Sequence, residues 1–111
     1  MMRIPMTPAA AALLRALIAR TGVERDRILL SDAHSTDWQS LTFNGQRHRL
    51  ELRVTGWDSR EIVARMRDGL EDAEFSIAGL FVADIAVVGT PQRGPDGATE
   101  LTIEALTIAG D

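Results

Sequence analysis

The segment SDAHSTD, residues 31–37, concentrates the residue types that hydrolases and metal sites use. Ser31 offers a nucleophile, His34 a base, and Asp32 and Asp37 carboxylate ligands. Residues this close along the chain do not converge as a serine-hydrolase triad does, and no nucleophile elbow is present. We therefore predict a polar turn. An enzyme that uses His34 and Asp37 is the alternative, and it requires these two side chains to meet in a cleft.

A metal site would need ligands from a second element, and the only other histidine is His48. An extended chain from residue 34 to 41 puts His34 about 23 Å along the strand from the predicted partner of His48. The two imidazoles would not share a metal ion. No cysteine, phosphate-binding loop, dinucleotide fingerprint or paired-carboxylate site is present. We predict no catalytic residues, no metal and no cofactor.

The stretch LTFNGQRHRLELRV, residues 41–54, predicts a β-hairpin with a two-residue turn at Asn44-Gly45. This register places Trp38 opposite Glu51, so that Trp38 shares the outward face with the arginines. His48 lies on the other face, where a hydrogen-bonded, partly buried imidazole is expected. The outward set is Arg47, Arg49, Glu51 and Arg53, and the inward set is Leu41, Phe43, His48, Leu50, Leu52 and Val54.

Two interpretations explain a tryptophan that points outward among arginines. One is a protein–protein contact, for which this composition is typical. The other is a cation–π pair of Trp38 with Arg49 or Arg53, which needs no partner. Nucleic-acid binding is less well supported, because Glu51 interrupts the stripe and the formal net charge is −4. The first two interpretations both stay open.

Length and composition predict one globular domain over residues 1–111, since 45% of the residues are hydrophobic and 25% are charged. The N-terminal apolar stretch contains Arg15, so a helix is predicted rather than a signal peptide. No run approaches the roughly 18 apolar residues of a membrane span. We expect a cytosolic protein with no membrane partner.

Apolar residues at helical spacing predict a first helix over about residues 8–21, capped by Thr7 and ended by Gly22. A second helix begins after Asp58, which with Glu61 matches a capping box. Trp57 and Ile62 are spaced as a hydrophobic staple around that cap. Gly69 is predicted on the inner face of this helix, where it would allow close approach to a sheet.

The remaining apolar runs predict strands. Residues 27–30 form a short strand that breaks or bulges in the polar segment after it, and residues 80–88 and 98–108 form a second hairpin. The phase of alternation shifts near Ala105, which predicts a β-bulge there. Residues 90–97 form an exposed loop. The fold class is α+β: a mainly antiparallel four-stranded sheet, with a short extra strand, packed on one face by two helices in the order α-β-β-β-α-β-β.

An ordered series of short motifs resembles a known family. The series is STDW, GQRHRLELRV, the capped helix SREIVARMRDGL, FSIAGLFVADI and PDGATELTIEALTI, over roughly residues 8–108. It is similar to the tail-completion, or tail-terminator, proteins of long-tailed phages and phage-derived gene transfer agents. Members of that family typically carry a further loop before the first strand, whereas here only TGVERD intervenes.

The resemblance implies a structural role without covalent chemistry. Tail terminators form rings, commonly hexamers, that end the tail tube and join it to the head connector. The implied partners are other copies of the chain, the tail tube and the head connector, with no sequence-specific nucleic acid. The implied location is the bacterial cytoplasm during assembly and then the virion or phage-like particle.

Carried onto this sequence, the hairpin 36–54 and the loop 90–97 are the candidate ring contacts. The interface residues expected first are those of the outward face, Trp38, Arg47, Arg49 and Arg53, followed by Asp37, Gln46 and His48. A ferredoxin-like small-ligand-binding or regulatory domain is the alternative from another class. It requires a concave pocket on the open sheet face, where the many arginines leave little apolar floor.

Overall fold

The computed structural model describes residues 4–110, and within them four strands form one sheet covered on one face by two helices. The strand order is β1-β2-β4-β3, and every pair of neighbours is antiparallel. The predicted α+β class is confirmed. The elements are α1 (Pro8–Thr21), β1 (Ile28–Gln39), β2 (Asn44–Val54), α2 (Ser59–Arg67), β3 (Leu80–Arg93) and β4 (Thr99–Ala109), with single 3₁₀ turns at Arg25–Arg27 and Leu70–Asp72.

Helix α1 has the bounds that its end signals predict. The Thr7 hydroxyl accepts a hydrogen bond from the Ala10 backbone N–H at 3.2 Å, and Pro8 takes the first helical position. Gly22, with φ of 69°, ends the helix in the left-handed conformation. Leu13 and Leu17 on its inner face are fully buried against the sheet and α2.

Strand β1 is longer than predicted. The expected short strand and the first arm of the hairpin are one continuous strand, so there is no separate extra strand among the described residues. The predicted irregularity is confirmed as a bulge at Ser31, where the register shifts between Leu30 and Asp32. The polar residues that suggested a turn are tolerated because β1 is an edge strand with one solvated face.

The turn of the first hairpin is not at Asn44-Gly45, as predicted, because both residues belong to β2. The chain turns at residues 40–43, where the Ser40 N–H donates to the Phe43 carbonyl at 2.9 Å. Gly45 is needed for another reason: a Cβ atom there would overlap the carbonyl oxygen of Thr107 on β4. The glycine thus allows close packing of strands.

The correct register pairs Trp38 with Gly45 instead of Glu51. The displacement is six residues along β2, and because six is even, Trp38 stays on the predicted face. The face assignments of β2 are therefore correct although the pairing was wrong. Leu41 and Phe43 were predicted on the inner face and instead lie in the turn, exposed to solvent.

The end signals predicted for α2 are not used as expected. The carboxylate of Asp58 makes no capping bond and instead accepts a hydrogen bond from the Arg27 guanidinium. Trp57 is 84% exposed whereas Ile62 is fully buried, so the staple does not form. The helix ends at Arg67, and Gly69 follows it in the left-handed conformation, with no atom within 4 Å of the place that a Cβ atom would take. Gly69 terminates the helix and mediates no close approach to the sheet.

The predicted bulge near Ala105 is wrong, because β4 pairs without a break and the irregularity lies opposite, on β3 between Val82 and Asp84. Ala105 faces the helices, and Leu106 and Ile108 point to the other face. The shift in alternation arises because the large apolar residues of β4 move from the helix-covered face, at Leu101 and Ile103, to the other face, at Leu106 and Ile108. Strand β3 also extends to Arg93, which shortens the predicted loop 90–97.

The connection from β2 to α2 provides a first test of stability. Gly56 has φ of 101°, and a Cβ atom there would overlap the Arg27 guanidinium, which donates to the Thr55 carbonyl. We expect Gly56→Ala to lower the free energy of unfolding by about 1–3 kcal/mol. Gly89→Ala is the matched control, because Gly89 also has positive φ but no atom near its Cβ position. Equal losses in urea unfolding of the two variants would show that the Arg27 overlap has no effect.

Candidate interaction surface

The face of the sheet without helices carries an apolar row at the end where β1 turns into β2. Across the four strands this row consists of Trp38, Gly45, Ile108 and Phe81, each opposite the next in register. The adjacent row includes Arg47 and Leu106. Side chains directly opposite in antiparallel strands point to the same face. We call Trp38, Arg47 and Phe81, together with the buried Leu106 and Ile108 beneath them, the hairpin-end surface.

The three arginines of the stripe have different surroundings. Arg49 pairs with Glu104 on β4 at 3.4 Å. Arg53 pairs with Glu100 at 3.2 Å and also with Asp96 in the loop after β3. Arg47 makes no ion pair with any residue between 4 and 110. Arg49 and Arg53 are therefore ion-paired within the chain, whereas Arg47 is not, with Asp84 as the acidic residue of its row two strands away.

Trp38 is half-buried on the face away from the helices, and the cation–π interpretation does not account for it. Within residues 4–110 the cation–π pair found is that of Arg20 over the Phe75 ring, at 5.8 Å, on other elements. Trp38 has a glycine as its register partner on β2 and Ile108 beyond it. It therefore belongs to the apolar row.

Large apolar side chains are exposed around the same end of the molecule. Phe81 is 66% exposed, Phe43 56%, and Leu41 is fully exposed in the turn. Met6 is exposed nearby, because the Thr7 hydroxyl bonds the side-chain oxygen of Gln46 at 2.8 Å and holds the start of α1 there. Such a cluster is the usual sign of a contact surface on a protein.

The remaining predicted interface residues, Asp37, Gln46 and His48, do not belong to the hairpin-end surface. Asp37 and Gln46 are register partners on the helix-covered face and line a cavity there. His48 is only 2% exposed, so its ring presents no surface to a partner. Of the two predicted contact segments, the hairpin turn and the loop after β3 lie at opposite ends of the sheet, the latter beside Arg53.

The sequence predicts a partly buried, hydrogen-bonded imidazole at residue 48, and the ring of His48 is buried, with a partner for each nitrogen. The Ser35 hydroxyl lies 2.7 Å from Nδ1, and the Thr107 hydroxyl lies 2.8 Å from Nε2. Burial lowers the pKa of His48 below its ordinary value of 6.5. The ring therefore ties three strands together in its neutral form.

This pKa shift predicts a pH dependence of stability. The unfolded chain takes up a proton at His48 below about pH 6.5, while the folded chain resists it, so stability falls as pH drops from 7 to 5. The slope contributed by one such group is at most about 1.4 kcal/mol per pH unit. We expect urea unfolding of His48→Gln to show a shallower slope in this range than wild type. Parallel slopes would contradict the assignment.

A second side chain, Asp58, also has a shifted pKa, but it affects stability outside the range from pH 5 to 7. The hydrogen bond from Arg27 lowers the pKa of Asp58 below its ordinary value of 3.8. Its stabilising effect is complete above that value and is lost only as pH falls below it. The range between pH 5 and 7 therefore reports on His48.

The alternative enzyme centre does not form. His34 pairs with Arg49 and points to the face without helices, while Asp37 pairs with Gln46 and points to the other face. Both side chains are exposed. Among the described residues, no three His, Cys, Asp or Glu side chains are grouped so that they could hold a metal ion.

The open face also lacks the pocket that a ferredoxin-like ligand-binding domain requires. A cavity of about 360 Å³ there has four charged side chains in its lining, Arg47, Arg49, Asp84 and Glu104. Ligand sites are usually floored by apolar groups. The element order α-β-β-α-β-β also differs from the β-α-β-β-α-β of ferredoxin-like folds.

The sequence alone did not indicate that Phe81, Leu106, Ile108, Leu41 and Phe43 belong to this end of the molecule. For Leu106 and Ile108 the available signal was the change of phase in β4, which was interpreted as a bulge and instead marks apolar residues on the face without helices. For Leu41 and Phe43 the wrong turn position placed them in the core.

No helix in residues 4–110 is both long and apolar enough to cross a membrane.

Comparison with known proteins gives a likeness among solved structures. No family model matches the chain, and no match is found among curated proteins. Among solved structures, the fold is similar to that of a chain in the virion of a native gene transfer agent particle, with a TM-score of 0.67 and 13% sequence identity. The similarity covers 95% of this chain and 100% of that chain. At this identity it shows a shared fold.

Proposed function

We propose that this protein is a tail-terminator, or tail-completion, subunit of a phage-type tail. In this role, copies of the chain form a ring that ends the tail tube and joins it to the head connector. The subunit is made in the bacterial cytoplasm and becomes part of the virion or phage-like particle. It acts by association, without a cofactor.

The observation that carries the proposal is the likeness in fold to a whole chain of a gene transfer agent virion. It agrees with the ordered motifs of the sequence, which resemble tail terminators over roughly residues 8–108. One likeness lies in the order of the motifs and the other in the path of the backbone, so each supports the other. The short TGVERD connection after α1 leaves no counterpart for contacts that a longer loop makes in other members.

The hairpin-end surface supports association as the activity. It joins an exposed Phe81 and a half-buried Trp38 to Arg47, a composition enriched in the centres of protein interfaces. The edge strands β1 and β3 flank it on both sides and offer unpaired backbone groups to a neighbour. We assign ring contact to this surface, with Arg49 and Arg53 holding the rest of the face together through their ion pairs.

The net charge is compatible with a ring around DNA. With 16 acidic and 12 basic residues the formal charge is −4, so phosphates are repelled rather than bound. DNA passing through such a ring would not adhere to it.

Charge reversal at two arginines tests which part of the face makes the contact. We expect Arg47→Glu to lower the ring fraction measured by size-exclusion chromatography with light scattering, because Arg47 has no ion-pair partner within the described chain. Loss of a central interface residue costs about 1–2 kcal/mol or more, equivalent to a roughly tenfold weaker association. Arg53→Glu is the matched control, since it removes ion pairs inside the subunit but lies far from the hairpin end.

The two variants also separate association from stability. Arg53→Glu should lower stability by about 1 kcal/mol through repulsion from Glu100, with ring formation retained where the subunit is folded. Rings that persist in Arg47→Glu and disappear in folded Arg53→Glu would place the contact at the opposite end of the sheet. A mass of one subunit for wild type, alone and with purified tail tubes, would contradict the proposed function.

A further inference from the structure

The helix-covered side of the sheet has an open apolar groove at the same end as the first turn. Its volume is about 470 Å³, and it lies between the start of α1, the hairpin strands and the top of β3. The space is open because many of the side chains that line it are small. They include Ala9, Ala12, Ala78 and Ala109, with Leu80 and Pro8 beside them. The charged residue on its rim is Asp37. We call this the end groove.

The turn next to this groove is firmly held and presents apolar groups to solvent. The Ser40 hydroxyl accepts a hydrogen bond from the Phe43 backbone N–H at 3.0 Å, and the Ser40 N–H donates to the Phe43 carbonyl. This leaves Leu41 fully exposed and Phe43 more than half exposed. Nothing in the turn geometry requires apolar residues there, because turns favour polar ones.

The turn cannot enter the end groove of its own chain. Asn44 and Gly45, which follow the turn directly, form one wall of that groove. Among residues 4–110, the apolar turn and the end groove therefore both lack a partner within one copy.

Resting on the proposed ring assembly, we propose that the turn 40–43 of each subunit inserts Leu41 and Phe43 into the end groove of the next subunit. The contact is head-to-tail: every copy donates one turn and accepts another, the arrangement that generates rings when its rotation closes.

Apolar character and charge favour this occupant over an unrelated acidic segment. The turn SLTF carries no charge, so Asp37 on the rim neither repels nor traps it. The groove has a volume of several hundred Å³ and a mainly apolar lining, with Asn44, Gln46 and Thr107 as its uncharged polar residues. It can take up apolar side chains, whose burial is the main source of affinity in such contacts. An acidic segment would be repelled by Asp37, and among the described residues no arginine lines the groove to bind it.

The chain contains no cysteine, so disulfide trapping between introduced thiols is free of background. We would mix two full-length single-cysteine proteins, Leu41→Cys and Ala78→Cys, under mild oxidation and analyse them by non-reducing electrophoresis and mass spectrometry. Both positions are exposed, so neither substitution is expected to disturb the fold. We expect at least about tenfold more 41–78 heterodimer than with either control pair, because a seated turn raises the local thiol concentration.

The controls replace one position at a time. Trp57→Cys takes the place of Leu41→Cys as an exposed site away from the turn, and Ala64→Cys takes the place of Ala78→Cys as an exposed alanine outside the groove. Equal yields for all pairs, or a predominant 41–41 homodimer, would overturn the proposal. The second result would indicate two-fold contact between turns.

The experiments distinguish failure of the turn insertion from failure of the proposed function. A ring mass without the 41–78 disulfide would retain the tail-terminator role and reject insertion of the turn. The 41–78 disulfide with an open chain of subunits in electron micrographs would retain the contact and reject the ring. The double variant Leu41→Ser with Phe43→Ser tests the turn contact without disulfides. It should fold normally and lose self-association.

Discussion

Trp38→Ala is expected to leave the protein folded but to lower the association constant for ring formation by about thirtyfold or more. Trp38 lies in the apolar row with Ile108 and Phe81, and tryptophans at the centre of interfaces often cost about 2 kcal/mol or more when truncated. Because its side chain is only half-buried and on the face without helices, most of the core is unaffected. Light scattering gives the association constant, and circular dichroism with urea unfolding gives the fold and stability.

Trp57→Ala is the matched control for this variant. Trp57 is the second tryptophan of the chain, it is 84% exposed, and it lies before α2, away from the hairpin end. Its loss should change neither stability nor association. If Trp57→Ala abolished rings and Trp38→Ala did not, the ring contact would lie at the α2 end of the sheet.

Gly45→Ala is expected to be among the most destabilising single-methyl additions in the protein, with a loss of about 2 kcal/mol or more. A Cβ atom at this position would overlap the backbone carbonyl oxygen of Thr107 and lie 3.1 Å from Cδ1 of Ile108. A backbone atom cannot rotate away, so β2 and β4 must separate at the hairpin end. Amide hydrogen exchange should show faster opening of residues 44–47 and 106–108, and urea unfolding should show the lower stability.

Gly94→Ala controls for the general effect of replacing glycine. Gly94 also lacks positive φ, and its Cβ atom would lie 3.2 Å from a carboxylate oxygen of Asp96, which belongs to an exposed side chain and not to the backbone. We expect a change of less than about 0.5 kcal/mol. A loss in Gly45→Ala no greater than that in Gly94→Ala would show that strand approach at residue 45 is not tight.

The elements that the sequence predicts well are those with complete local signals. Helix α1 has a side-chain cap at Thr7, a proline at its first position and Gly22 at its end, so its bounds need no tertiary information. The faces of β2 follow from strict alternation, and burial of His48 follows from its place among aliphatic residues.

The wrong predictions share one cause, which is that glycine and polar residues have several uses. Asn44-Gly45 matches a two-residue turn, but Gly45 serves the approach of β4, a neighbour that comes more than 50 residues later in the sequence. Gly69 matches a helix position that packs closely, but it ends α2. Asp58 matches a cap, but its carboxylate binds Arg27 from a distant segment. Local pattern does not distinguish these uses.

The candidate surface was predicted in part. Trp38 and Arg47 were found from the hairpin pattern, because their face survives an even shift of register. Phe81, Leu106 and Ile108 join them only once β4 is placed beside β2 and β3 beside β4. Arg49 and Arg53 could not be separated from Arg47 by sequence, since their partners Glu104 and Glu100 are set by the same pairing.

Oxidative footprinting of the two tryptophans, in dilute and in assembled protein, tests most directly whether the hairpin-end surface makes the ring. We predict that Trp38 is protected on assembly and that Trp57, already largely exposed in the single subunit, reacts at an unchanged rate. Protection of Trp57 with an unchanged Trp38 would contradict the assignment of the contact to this end of the sheet.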